Sequence, residues 1–235
     1  VVPGVDDELA VVTDQLYHIG VGQLDAILTV LKKEEITAVT MLGKVTKELM
    51  FTGTISLDGR MQKLLAGLKD HSDDTLMLAF VRELASEGLE ALDQTALIAS
   101  LMPPPGVLTQ RAPTPAEQAD MEFGLAMAKQ IGSLDIGQTV VVKNRAVIAV
   151  EAIEGTDACI RRGGQLAKGG VTVAKAAKPK QDLRFDVPGI GPDTIVAMLE
   201  TGAIALVIEA GKTLLVQQET VLRLADEHAI TIVAM

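Results

Sequence analysis

The chain has one cysteine, no tryptophan, one tyrosine and four phenylalanines in 235 residues. A lone cysteine, Cys159, excludes an intrachain disulfide and fits a reducing compartment. So few aromatics leave no platform for stacking nucleic-acid bases. The histidines, His18, His71 and His228, are scattered and show no H-x-H or H-E-x-x-H spacing, which argues against zinc. No apolar run approaches the roughly 18 residues of a membrane helix, and no signal-peptide pattern is found. Positive charge is also scarce: 21 Lys and Arg face 31 Asp and Glu, a net charge of −10. That balance opposes general nucleic-acid binding, which depends on displacing counterions from phosphates. A hydrophobic content of 48% is enough for a real core. The length suits two ordinary domains or one large one.

Val1-Val2-Pro3 reads as the tail of a strand already under way, so an upstream strand and loop are expected ahead of this numbering. Tyr17-His18-Ile19 is strand-like. Gln23 to Glu35 carries Leu24, Ile27, Leu28 and Leu31 at helical spacing, and Ala38 to Leu42 reads as a buried strand stopped by Gly43. Helices are expected over 59–69, over 74–87 with Asp73 or Asp74 as cap, and over 94–101. Alternating strands and helices argue for a parallel sheet, so residues 1–102 are expected as a Rossmann-like N-terminal domain. Pro103-Pro104-Pro105-Gly106 cannot continue a helix, and 103–112 is expected as a linker.

Residues 113–235 are expected as a distinct mixed α/β catalytic domain. Thr114-Pro115-Ala116-Glu117 is a capping box that opens a helix running to Ile131. Strands are expected at 139–142 and 146–150, joined as a hairpin at Lys143-Asn144-Arg145, and at 170–174, 203–208, 213–217 and 230–234. Helices fill 157–167, 192–201 and 218–228, with Pro192 in a first turn and Gly202 at a helix end.

The basic residues are unevenly spread. Residues 161–184 hold Arg161, Arg162, Lys168, Lys175, Lys178, Lys180 and Arg184, interleaved with or flanked by Glu151, Glu154, Asp157, Asp182 and Asp186. Such a mixture suits a divalent metal and a phosphorylated ligand. Glu154-Gly155-Thr156-Asp157 follows a strand and opens a helix, whose free N–H groups would donate to a phosphate. The same residues also serve as a plain helix cap. In an extended segment Asp182, Arg184 and Asp186 would point to one side, where hard oxygen ligands suit Mg²⁺ or Mn²⁺. A solvated charged loop is the bland alternative. Pro188-Gly189-Ile190-Gly191-Pro192-Asp193-Thr194 is a glycine-containing turn before a helix, without the P-loop G-K-[ST]. Glu209 stands at a strand end, and Gly43-Lys44 follows a strand in the first half. Cys159 has no histidine partner in the sequence pattern and reads as a small buried side chain.

We read Asp182 and Asp186 as catalytic groups, and both as metal ligands together with Glu154 or Asp157. Gly155, Thr156, Lys178, Lys180, Gln181, Arg184, Gly191, Thr194, Glu209, Gly43 and Lys44 are the expected substrate contacts. Asp182 is preferred for orienting or deprotonating the attacking water.

At E-A-x-E-G-T-D (151–157), K-P-K-Q-D-x-R-x-D-x-P (178–188), I-G-P-x-T (190–194) and E-A-G (209–211) the chain resembles the LpxI-type UDP-2,3-diacylglucosamine pyrophosphatases. D-I-G-Q (135–138), A-P-T-P-x-E (112–117), G-Q-L (22–24) and L-G-K-V (42–45) extend the resemblance over nearly the whole chain. The resemblance implies a Rossmann-like domain, a second α/β domain and a substrate held between them. It implies hydrolysis of UDP-2,3-diacylglucosamine to UMP and 2,3-diacylglucosamine 1-phosphate, with Mg²⁺ or Mn²⁺, in lipid A synthesis. It also implies a cytoplasmic enzyme that touches the inner membrane peripherally, and a homodimer is expected. Residues around Leu97 to Leu108 are expected to line an acyl cleft. Two other readings stay open: a hydrolase or transferase for another nucleotide diphosphate conjugate, and a non-catalytic carrier of a nucleotide-sugar lipid.

Overall fold

A computed structural model describes residues 7–43, 56–69, 73–179 and 181–235, without the side chains of 7, 8, 73 and 74. The chain divides into two compact units, Val1–Gln94 and Thr95–Met235. Both are mixed α/β.

In the first unit, helix α1 (Leu24–Lys33) buries Leu24 and Leu28 against Met61 of α2 (Gly59–Ala66). Helix α3 (Asp73–Ser86) adds Leu84 to the same core. Asp58 caps α2 by accepting from the Met61 amide at 2.8 Å, and it also accepts from the Asp25 amide at 2.6 Å. Strand β1 (Ala38–Val39) pairs in parallel with β2 (Glu90–Ala91). The strand expected to reach Leu42 is therefore shorter. The strand expected at Tyr17–Ile19 is irregular chain. Tyr17 instead donates its hydroxyl to Glu34 at 2.7 Å, at the end of α1. The cap expected at Asp73 or Asp74 lies outside the described side chains.

The second unit begins with α4 (Thr95–Ile98) and a short 3₁₀ turn, Ala99–Leu101. Its six-stranded sheet has the order β3-β10-β8-β6-β4-β5. The strands are β3 (Gly106–Val107), β4 (Thr139–Lys143), β5 (Ala146–Val150), β6 (Thr172–Lys175), β8 (Ala205–Ile208) and β10 (Thr231–Ala234). Strands β6, β8 and β10 run parallel, while β4, β5 and β3 are paired antiparallel to their neighbours. A small parallel pair, β7 (Gly189–Ile190) and β9 (Leu214–Leu215), stands apart.

Alternation along the strands fills both faces, as expected for a sheet covered on two sides. One face packs Val140, Val142, Ala174 and Val207 against Met121, Leu125 and Ala128 of α5 (Pro115–Ser133). The other packs Val141, Val173, Leu206 and Ile208 under α6 (Thr156–Ala167), α7 (Pro192–Thr201) and α8 (Gln218–Glu227). Mid-helix glycines permit the close approach. A Cβ at Gly163 would lie 2.7 Å from Val141, and one at Gly164 would lie 2.3 Å from Thr201. Among the described residues no helix is long and apolar enough to cross a membrane.

The segment expected as a linker is part of this unit. Val107 and Gly106 pair with Val233 and Ala234, the Pro103 carbonyl accepts from the Gly211 amide at 3.0 Å, and Leu108 packs against the core. Consecutive prolines favour extended chain, and an edge strand accepts extended chain readily because its outer side needs no donor.

Candidate active site

Strand register gathers three charged positions, Glu151, Lys175 and Glu209, along one end of the second unit's sheet. Thr139 pairs with Lys175, Val140 with Val150, and Lys175 with Ile208. The ends of β5, β6 and β8 and the start of β4 therefore lie side by side. Glu151 and Glu209, the residues following β5 and β8, are held there with Lys175. In open α/β sheets this carboxyl end of the parallel strands is the usual place for a ligand.

Three buried side chains organise this edge: Glu151, Lys175 and Glu209, each 6–7% exposed. Lys175 donates to the Thr156 hydroxyl at 2.9 Å and to the Gly189 carbonyl at 2.7 Å. Thr156 donates onward to Glu151 at 3.0 Å, and the other Glu151 oxygen accepts from the Gln138 amide at 3.3 Å. Gly137 is required beside it, since a Cβ there would fall 2.1 Å from the Glu151 carbonyl oxygen. Glu209 accepts from the Ala177 amide at 3.0 Å, from Lys212 at 2.9 Å and from Lys129 at 3.2 Å. Burial pushes its carboxyl up, but these donors outweigh that and hold it below the usual range.

Helices α6 and α7 both begin at this edge. Each starts on a glycine, Gly155 or Gly191, that supplies no side-chain cap. Gly155 has φ +82°, which favours glycine. Thr194 donates to Asp157 at 3.1 Å and ties the two first turns together. Uncapped amides and the positive ends of two helices make this an electropositive lip suited to a phosphate.

The LpxI N-terminal domain profile matches residues 1–101, and the LpxI C-terminal domain profile matches residues 104–233. The chain belongs to the LpxI family. A UDP-2,3-diacylglucosamine pyrophosphatase LpxI of Caulobacter vibrioides is 34% identical over 229 residues, covering 92% of this chain and 81% of that protein.

The expected site residues of this LpxI chain fall into separate groups. Gly155, Thr156, Asp157, Gly191 and Thr194 meet at the paired helix starts, and Glu209 lies along the same sheet edge. Lys178 reaches Asp135 at 2.6 Å, and its amide donates to Gln181 at 2.9 Å. Lys180 and Lys44 lie outside the described residues. Gly43, with φ +108°, is in the first unit.

The stretch around Asp182 is a turn, which corrects the extended segment expected from sequence. The Asp186 amide donates to the Asp182 carbonyl at 2.9 Å, as in one turn of helix. That spacing keeps positions 182 and 186 on one side and carries 184 around the turn. Arg184 nonetheless folds back, with Nε and Nη2 donating to the two Asp182 oxygens at 2.9 and 2.6 Å. The guanidinium holds the Asp182 carboxyl below its usual range against partial burial.

Glu154 is paired with Arg162 at 2.5 Å, which likewise lowers its carboxyl. Among the described residues no group of three or more His, Cys, Asp and Glu side chains is placed to hold a metal ion. Asp182, Asp186, Glu154 and Asp157 thus form no ready-made metal cage.

Sequence reading counted Lys175 and Glu151 among the charges but missed their place in the site. The available signal was position: a lysine inside the apolar run V-T-V-A-K-A-A shares a face, by strand alternation, with Val171 and Val173.

Cys159 is fully buried in α6, and burial pushes its thiol up to about 12. Since the thiolate is the nucleophile, the folded chain is expected to resist iodoacetamide at pH 8 and to react on unfolding in urea. Alkylation of the native protein at the rate of a free thiol would contradict this.

Proposed function

We propose that the chain hydrolyses the pyrophosphate bond of UDP-2,3-diacylglucosamine, giving UMP and 2,3-diacylglucosamine 1-phosphate in lipid A synthesis. The match of both LpxI domains over the chain carries the reading. The gathering of Glu151, Lys175, Glu209 and the starts of α6 and α7 at one end of the sheet supports it. The Rossmann-like character of the first domain is retained within the proposal, supported by the parallel pair β1–β2.

The paired starts of α6 and α7, with Lys178 and Arg184, would neutralise the pyrophosphate, since phosphoryl transfer depends chiefly on positioning and electrostatics. A water oxygen forms the new bond to one phosphorus, and the bridging oxygen leaves with the other. Asp182, held in place by two bonds from Arg184, is suited to orient that water by accepting its hydrogen bond. Its lowered proton affinity makes it a weak base, so the proton passes on to solvent. Exposed apolar side chains such as Leu97 and Val107, 66% and 47% accessible, are the proposed acyl contacts. A homodimer and peripheral contact with the inner membrane complete the reading.

Mg²⁺ or Mn²⁺ is included as an ion arriving with the substrate, because such ions commonly bind through phosphate oxygens and one or two carboxylates. Without a three-carboxylate cage, Mg²⁺ alone is expected to leave the melting temperature unchanged, since only a ligand bound to the native state raises it. EDTA is expected to abolish UMP release. The test is UMP release from UDP-2,3-diacylglucosamine, with and without acyl chains and with and without Mg²⁺ or Mn²⁺. No release from folded protein overturns the reaction. Equal turnover of the de-acylated compound overturns the lipid substrate, and EDTA-resistant turnover overturns the metal.

A further inference from the structure

Lys175 closes the central strand β6 and is almost wholly buried, at 6% exposure. Burying an ammonium is costly unless its donors are well matched. A strand end under a helical layer would be filled more cheaply by methionine or leucine. Two bonds that Lys175 makes at this point show what its place accomplishes. One goes to the Thr156 hydroxyl in the first turn of α6, at 2.9 Å. The other goes to the Gly189 carbonyl, two residues before the cap of α7, at 2.7 Å. One ammonium therefore links the segment entering α6 to the segment entering α7. The Thr194–Asp157 bond joins the same two helices within their first turns.

Thr156 is held from several sides. It receives Lys175, donates to Glu151 at 3.0 Å and lies 3.4 Å from the Thr139 hydroxyl. Glu151 is fixed in turn by the Gln138 amide. The chain Lys175–Thr156–Glu151 thus anchors the α6 entry to strands on both sides of it. Neither helix start has a side-chain cap, so their relative placement depends on such tertiary bonds.

We propose that Lys175 is a positioning residue for the pyrophosphate hydrolysis, holding the starts of α6 and α7 at the spacing the substrate phosphates require. This inference rests on the proposed reaction. Lys175 acts through Thr156 and the Gly189 carbonyl, and its charge beneath the two helix starts adds to their positive potential.

The test compares parent, Lys175→Met, Lys175→Arg and Thr156→Val in UMP release, separating kcat from KM. Hydrogen exchange of 151–157 and 188–194 is followed in each. Lys175→Met is expected to lower kcat by about 10²-fold, the cost of misplacing a reacting group by a fraction of its contact distance. Its melting temperature should fall modestly, because the Gly189 carbonyl and the Thr156 hydroxyl lose their donor. Both segments should exchange faster while β6 does not. Thr156→Val should reproduce the kcat loss in part, and Lys175→Arg should recover activity over Lys175→Met.

A Lys175→Met enzyme with the parent's kcat overturns the proposal. So does lost kcat with unchanged exchange in both segments, which would mean direct contact with the substrate. If Lys175→Met does not fold, Thr156→Val carries the test, and its full activity overturns the proposal. If the parent releases no UMP, the reaction itself has failed. Lys175 is then judged by the exchange of the two segments, and unchanged exchange overturns its role in holding them.

Discussion

Asp182→Ala is expected to lower the rate of UMP release by about 10³-fold or more, the loss typical of removing a principal group at the reacting centre. The carboxylate and Arg184 form a two-bonded unit within one turn. Removing Asp182 therefore also frees the guanidinium that is meant to meet a phosphate. Arg184→Ala should cost less by itself, because Asp182 stays in place and stays ionised without its partner at neutral pH. The double variant should lose less than the two single losses combined, as expected for groups in direct contact. Asp182→Asn keeps the shape and removes the charge, and it should fall close to the alanine variant. Full turnover by Asp182→Ala would remove Asp182 from the mechanism and move the assignment to Asp186.

Glu209→Ala is expected to destabilise the second unit by about 1–2 kcal/mol, chiefly by leaving the partly buried Ala177 amide without its acceptor. Lys129 and Lys212 are about half exposed and regain water, so their lost pairing adds little. Chemical denaturation should show a lower midpoint at an unchanged slope. UMP release should fall as well, because Glu209 ties Ala177, in the segment that leads to the Asp182 turn, to the end of β8.

Acid sensitivity follows from the same group. Burial raises the Glu209 carboxyl, yet its three donors lower it further than that. Glu117 behaves alike: burial raises it, while Arg111 and the Thr114 donors bring it below its usual range. A carboxyl lowered in the folded state contributes stability that is present above the unfolded value, about 4.3 for Glu. That stability is lost as pH falls through the folded value. The parent should therefore lose stability progressively below pH about 4.3, and Glu209→Ala should show a shallower acid limb. An identical acid limb in both would show that Glu209 is not lowered by folding.

Local sequence determined much of the second unit. Thr114 and Glu117 form the expected capping box, because each reaches the other's backbone within one turn. Asn144 and Arg145 take φ of 52° and 56°, and the two-residue hairpin closes where the strand pattern breaks. Helices α1, α6, α7 and α8 lie within one or two residues of the bounds that periodicity and caps suggest. The motifs that mark the family were equally legible, since they are runs of neighbouring residues. Apart from the local Asp182–Arg184 pair, tertiary structure decided which of those charges meet. Register between strands some thirty residues apart places Lys175 beside Thr139 and level with Ile208. The same pairing turns 106–107 from an expected linker into an edge strand. The Asp182 turn is also a tertiary outcome, because an isolated charged segment has no reason to prefer a turn over an extended chain. Propensity acts over a few neighbouring residues, whereas burial and hydrogen-bond satisfaction are settled only when distant strands pack. Lys175, Glu151 and the Ala177 bond of Glu209 derive their partners from that second step.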